Sequence, residues 1–186
     1  MAFSTDRFLC TSIDTEQSNA VTALYQNNPD YWLSIAASAP TASMACQDLV
    51  QSVEGKFPKL GIYDAQQVLI GVCFLGRDFL APHVWHIEFF LVSSALRGSG
   101  ASAEILAGLE QWIQSQGGQW LRLGCVITDE RALRFLSKHG FTDLGLWQGR
   151  ILRKAVSLQL KWKPLAGGTL NDYFQVVPND RIGFEA

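Results

Sequence analysis

Apolar positions along the chain recur at two different periods. In 15–27 (TEQSNAVTALYQN), Ala20, Val21, Leu24 and Tyr25 share one face of a helix. A second helix is expected over about 41–53, with Met44, Leu49 and Val53 as its apolar side. Asn28-Pro29-Asp30 breaks the chain between them. From residue 59 the pattern becomes strand-like. Segments 59–64 and 68–75 flank the short polar stretch Ala65-Gln66-Gln67 and predict a hairpin. Segment 84–92 (VWHIEFFLV) is nearly all apolar, as expected of a central strand buried on both faces. After a Gly/Ser turn, 101–116 reads as an amphipathic helix with Ile105, Leu109, Trp112 and Ile113 on one side, stopped by Gly117-Gly118. Then come a strand at 120–127, an N-cap and acidic first turn at Thr128-Asp129-Glu130, and a helix over 131–138. Two more strands are expected between 141 and 162. The tail from Pro164 to Ala186 shows turn residues and no clear period. Without a repeat or a linker, 1–186 reads as a single α/β (α+β) domain.

Composition narrows the function classes. The net charge is −2, and the densest basic stretch, Arg150 to Lys163, falls on the strand pair rather than on a helix. That is no footprint for a nucleic-acid partner. The four cysteines form no C-x-x-C pair, and no histidine sits at a zinc spacing, so no metal is expected and the setting is reducing. No apolar run reaches membrane-spanning length, and Met1 to Cys10 lacks the pattern of a signal peptide; a cytoplasmic protein is expected. Six Trp and eleven Phe point either to aromatic-lined clefts or to a large aromatic core.

The turn Arg97-Gly98-Ser99-Gly100-Ala101-Ser102 carries the most chemistry. Its glycines allow backbone conformations closed to other residues, and its small side chains let a ligand approach the main chain. It opens onto a helix N-terminus, where free amides and the dipole favour a phosphate, and Arg97 adds positive charge. No Lys-Ser/Thr follows the second glycine, so it is not a P-loop, and the preceding helices and hairpin do not suit a dinucleotide-binding unit.

The strand HIEFFLV, the turn LRGSGAS and the helix that follows resemble motif A of the GNAT family of N-acetyltransferases, written Q/R-x-x-G-x-G/A. Arg97, Gly100 and Ser102 hold its fixed positions, with Ser in place of Gly or Ala. WLRLGCVITDERALRFLSKHGF resembles the family's motif B through Asp129, Ala132, Phe135, Gly140 and Phe141. The resemblance covers about residues 59–165 and leaves 166–186 as a C-terminal extension. It implies a mixed, mostly antiparallel twisted sheet of about six to seven strands flanked by helices. That sheet splays between its fourth strand (84–92) and fifth strand (120–127). It also implies acetyl-CoA as co-substrate. The pantetheine arm would lie along Phe90, Leu91 and Val92, and the pyrophosphate on Arg97, Gly98, Ser99, Gly100, Ala101 and Ser102. Asp129 and Phe135 would lie near the thiol.

The implied activity is an N-acetyltransferase that moves an acetyl group to a primary amine of a small molecule by direct attack. The alternative is a non-catalytic acyl-CoA-binding or interaction module that keeps the fold. Glu88, a carboxylate in an apolar strand, is the candidate base. By a period of two, His86, Glu88 and Phe90 face one way, so His86 could share that work or hold Glu88 in place. The family's usual acid, a Tyr, is replaced here by Leu136. Tyr31 and Trp32, after the first helix, are the expected acceptor pocket, with Trp147 and Trp162 as further candidates; Trp85 and Trp112 read as core. The tail is expected to pack on a second subunit, giving a homodimer, or to cover a sheet edge.

Overall fold

The computed structural model describes residues 1–36, 39–50, 57–151 and 153–181. Its centre is an eight-stranded sheet in the order β1-β2-β3-β4-β5-β6-β8-β7. The strands are β1 (Phe3–Ser4), β2 (Leu9–Ser12), β3 (Lys59–Tyr63), β4 (Leu69–Gly76), β5 (Val84–Val92), β6 (Trp120–Val126), β7 (Thr142–Ile151) and β8 (Lys154–Pro164). Every neighbouring pair is antiparallel except β5 and β6. The expected hairpin is β3–β4, with the Asp64 carboxylate accepting the amides of Gln66 and Val68 at 2.9 Å each. The strands expected as fourth and fifth are thus β5 and β6. The difference in count comes from β1 and β2, which are too short to establish a period, although Cys10 is fully buried.

The helices are α1 (Ser18–Gln26), α2 (Pro29–Ile35), α3 (Ala42–Val50), α4 (Ala101–Ser115), α5 (Glu130–Lys138) and α6 (Leu170–Val176). On one face of the sheet, Leu106, Leu109 and Ile113 of α4 and Leu136 of α5 pack on Leu75, Trp85, Ile87 and Leu121. On the other, Val21, Leu24, Trp32, Ala45 and Leu49 from α1, α2 and α3 pack on Val72, Phe74 and Leu91. The helix expected over 41–53 is described as far as Val50; 51–53 lie outside the described residues, as does the end of the tail, 182–186.

Two expectations need correction. Asn28-Pro29-Asp30 does not simply break the chain. Pro29 starts α2 as its first residue, where a missing N–H costs nothing, and the Asn28 side chain donates back to the Leu24 carbonyl at 2.7 Å. The tail is not formless either. Thr169 and Asp172 form a capping box that starts α6, the Asp172 carboxylate accepting the Thr169 amide at 2.8 Å. Its Tyr173, Phe174 and Val177 close a third cluster with Trp120, Leu160 and Trp162, so the tail covers its own sheet.

Candidate active site

β5 and β6 are paired only from Val84 opposite Trp120 to Ile87 opposite Leu123. Beyond that point β6 stays with β8 as far as Val126 opposite Leu158, while β5 stays with β4. The sheet therefore splits, and among the described residues no strand pairs with the β6-facing edge of Phe90 to Val92. On one side of the split lies a cavity of about 680 Å³ lined by the turn and by α5. On the other lies a cavity of about 620 Å³ lined by α2, α3 and the strand surfaces. Tyr31, Ser34, Phe90, Asp129, Ala132 and Phe135 line both, so the split is where the two meet.

The turn has the geometry its sequence predicts. Gly98 and Gly100 adopt φ of 78° and 81°, and a Cβ would meet nothing within 4 Å at Gly98 and only Arg7 Nη2, at 3.8 Å, at Gly100. Both backbones are thus open to the first cavity. Among the described residues, nothing accepts from the amides of Gly98, Gly100 and Ser102. Ser99 instead folds back, its Oγ donating to the Leu96 carbonyl at 2.7 Å. Arg7 braces the turn from outside, contacting the Ser99 carbonyl at 3.3 Å and Glu104 at 2.6 Å. Arg97 does not present a free charge, because its Nη1 lies 3.0 Å from Asp30 Oδ2 on α2. Arg131, Lys138 and His139 of α5 and its C-cap add basic groups to the lining. Asp129 is the N-cap of α5, accepting the Ala132 amide at 2.9 Å, and so meets the ligand side with its carboxylate already engaged.

The second cavity holds Glu88. Phe74 is opposite Phe89 and Leu75 opposite Ile87, which leaves Glu88 as the extra residue of a β-bulge. The bulge reverses the alternation of side chains. Phe90 packs with Trp85 and Ile87 on the α4 face, whereas His86 stacks on Phe79 at 4.5 Å on the opposite face. His86 and Phe90 therefore do not share a face as a strict period of two predicts. Gly76 leaves room for Glu88, since a Cβ there would lie 3.4 Å from Glu88 Oε1. Glu88 is exposed to the cavity, and partial desolvation there pushes its carboxyl above its ordinary range, opposed by the Lys59 charge. Asp48 is raised by burial too, although the Tyr25 hydroxyl donates to it at 2.9 Å. Lys59, itself buried, is lowered by burial, opposed by the Asp48 and Glu88 charges. His86 is driven down to about 3, by burial first and then by the Arg122 guanidinium, so its ring is neutral at physiological pH.

Tyr31 and Trp32 meet edge to face at 5.5 Å, and both lie against Phe89, at 5.2 and 6.1 Å. Both line the second cavity, as does Trp147; Trp162 does not and belongs to the cluster under α6. Trp85 and Trp112 pack on each other at 5.5 Å, as expected of core. Leu136, in the place of the expected acid, is buried and lines the second cavity with carbon alone. Sequence reasoning missed Asp48, Phe79, Phe89 and Arg122 in this lining. Arg122 carries the signal that singled out Glu88, a charge inside an apolar strand. Asp48 and Phe89 carry none. Among the described residues no cluster of His, Cys, Asp or Glu could hold a metal ion, and no helix is long and apolar enough to cross a membrane.

The sequence model of the Acetyltransferase (GNAT) family matches residues 22–141. No curated protein matches the chain significantly. Solved structures similar to it include an acetyltransferase from Thermus thermophilus, with a TM-score of 0.72 at 15% identity over 84% of this chain and 96% of that one. A spermidine N-acetyltransferase from Vibrio cholerae, in complex with CoA and spermine, gives 0.70 at 10% identity over 86% and 96%. A ribosomal-protein-S5-alanine acetyltransferase from Vibrio fischeri gives 0.69 at 15% identity over 90% and 98%. At these identities the likeness is one of fold.

Proposed function

Since the chain belongs to the acetyltransferase (GNAT) family, we propose that it transfers the acetyl group of acetyl-CoA to a primary amine of a small molecule, by direct attack while both are bound. The observation that carries this reading is the meeting of two cavities at the split between β5 and β6. The chain's groups fit acetyl-CoA. The open amides of Gly98, Gly100 and Ser102, at the start of a 15-residue helix, suit a pyrophosphate. The unpaired edge of Phe90 to Val92 offers backbone groups to the amides of a pantetheine arm, as a missing strand would. Bound so, the co-substrate supplies an activated acetyl group at the junction lined by Tyr31, Asp129 and Phe135.

The acceptor enters from the second cavity. An amine attacks only without its proton, and Glu88 is placed to take it. Its raised pKa moves it towards the pH at which a base is both ionised and able to hold a proton. His86, near 3, is too weak a base to share that work. A small acceptor is favoured by the enclosing rings of Tyr31, Trp32, Phe79 and Phe89, and two carboxylates in the same lining, Asp48 and Glu88, favour a cationic one. Leu136 favours the second reading, an acyl-CoA-binding module without turnover, because it removes the family's usual proton donor.

Thermal unfolding with acetyl-CoA, and with NAD as control, tests the cofactor half. A ligand that binds the folded state raises the midpoint, and a shift with acetyl-CoA alone is expected. A panel of primary amines, read by release of the CoA thiol, then separates the readings. Turnover of any amine sinks the module; an acetyl-CoA shift with no turnover sinks the enzyme.

A further inference from the structure

The C-terminal extension reaches the acceptor cavity through a chain of buried polar groups. Arg122 stands on β6 with its side chain 10% exposed, and its Nε and Nη2 meet Asp180 Oδ2 and Oδ1 at 2.6 and 2.9 Å. Asp180, 6% exposed, also accepts the Tyr173 hydroxyl on Oδ2 at 2.5 Å. Tyr173 is fully buried between Trp120 and Trp162, at 5.8 and 5.4 Å. The remaining guanidinium nitrogen, Nη1, lies 3.4 Å from His86 Nδ1. Phe79 covers the His86 ring at 4.5 Å and the guanidinium at 5.5 Å. His86 and Arg122 both line the second cavity, but Asp180 and Tyr173 do not.

The contact between Nη1 and Nδ1 favours one arrangement of protons. A guanidinium only donates and keeps its charge, so the nitrogen facing it must offer a lone pair. His86 Nδ1 is therefore bare, and the ring proton sits on Nε2. A buried guanidinium without a carboxylate partner is strongly destabilising, so Arg122 can stand beside His86 only because the extension delivers Asp180. Residues 169–181 lie outside the 22–141 stretch matched by the family.

We propose that the C-terminal extension is a positioning element of the acceptor site, in which Asp180, steadied by Tyr173, aims Arg122 at His86 and fixes that ring as a neutral Nε2–H donor. His86 lines the cavity, and its Nε2–H is the donor it can offer an oxygen there, in competition with the Arg122 backbone carbonyl that also faces the ring. The proposal rests on the acetyltransferase reading only for what fills that cavity; the proton arrangement stands without it. Among the described residues, the charged groups acting on His86 are Arg122 from β6 and Asp180 from the extension, and the Arg122 backbone carbonyl also faces the ring.

The test reads the ring nitrogens of the three histidines by NMR in the full ¹⁵N-labelled chain, with His86→Gln to assign the signal. In the native protein His86 is expected as the Nε2–H tautomer, without titration between about pH 5.5 and 8. Asp180→Asn keeps the side-chain shape but removes the charge that orders Arg122. It should shift the His86 ring nitrogens towards a mixture of tautomers. Tyr173→Phe, which removes one hydroxyl, should do so to a smaller degree, and carries the comparison if Asp180→Asn does not fold. The midpoint shift with acetyl-CoA should be unchanged in both. With an amine substrate in hand, the acceptor KM should rise about 2–10-fold, the worth of one hydrogen bond, with the acetyl-CoA KM unchanged. An Nδ1–H tautomer or an ordinary titration of His86 in the native protein overturns the proposal. So does a His86 signal indifferent to the change in a folded variant. Neither outcome depends on whether the protein turns over.

Discussion

At the scale of residues, Glu88 as the proposed base would work only when ionised, and desolvation in the cavity opposes ionisation. That desolvation raises its pKa, so the wild-type rate should climb as pH rises through that raised value and then level off. Glu88→Gln removes both the base and that limb. The loss should be roughly 10²–10⁴-fold at pH values where the wild-type carboxylate is ionised, and should shrink as pH falls below its pKa. A ratio of rates that does not change with pH would make Glu88 a positioning group. Gly100→Trp tests the other cavity. A side chain at φ of 81° costs about 1–2 kcal/mol. Its ring would occupy the open space over the turn, so the acetyl-CoA midpoint shift should vanish while the far-UV circular dichroism stays native. Both residues were legible in the sequence: one as a charge where the pattern demands an apolar side chain, the other as a glycine before a helix. Asp48 was not, because a polar residue on the expected helix 41–53 looks the same whether it faces water or a cavity.

Elements decide which of these groups can act together. The bulge at Glu88 puts His86 and Phe90 on opposite faces, and nothing in VWHIEFFLV announces it. A bulge is a relation between two strands, so period counting within one strand misses it. The helices α4 and α5 and their turns were readable because propensity, capping and apolar stripe agree. α2 was not, because Pro29 is a breaker inside a helix and a starter at its first position. α2 brings Asp30 against Arg97 at 3.0 Å, over the phosphate side of the site. The pair is exposed, so it contributes little to stability, but it sets a negative charge beside the turn proposed to hold the pyrophosphate. Asp30→Asn should therefore tighten acetyl-CoA binding by about 2–5-fold, corresponding to ~0.5–1 kcal/mol. The gain should be larger at low ionic strength. Titration calorimetry at two salt concentrations reads it, and a weaker or unchanged affinity would show that Arg97 needs Asp30 to hold it in place.

For the whole molecule, the burial of His86, with the Arg122 guanidinium beside it and Asp180 opposing, couples stability to pH. The folded ring has a pKa of about 3 against about 6.5 when unfolded. Between those values the unfolded chain binds the proton that the folded chain refuses, so stability rises with pH in this window. The contribution is complete above about pH 6.5 and is lost as pH falls towards 3. At pH 5 the loss is of order 2 kcal/mol. Glu88 and Asp48 act in the opposite sense, since raised carboxyls take up protons more readily in the folded state and favour folding as pH falls. The net slope of the wild type therefore mixes signs. A comparison of wild type with His86→Gln isolates the histidine, because both carry the same carboxylates. Urea unfolding at pH 7.5 and pH 5 should show the wild type losing about 2 kcal/mol more than the variant over that interval. Equal losses would mean that His86 is free to charge in the folded protein, and that Arg122 and Asp180 hold each other without holding the ring.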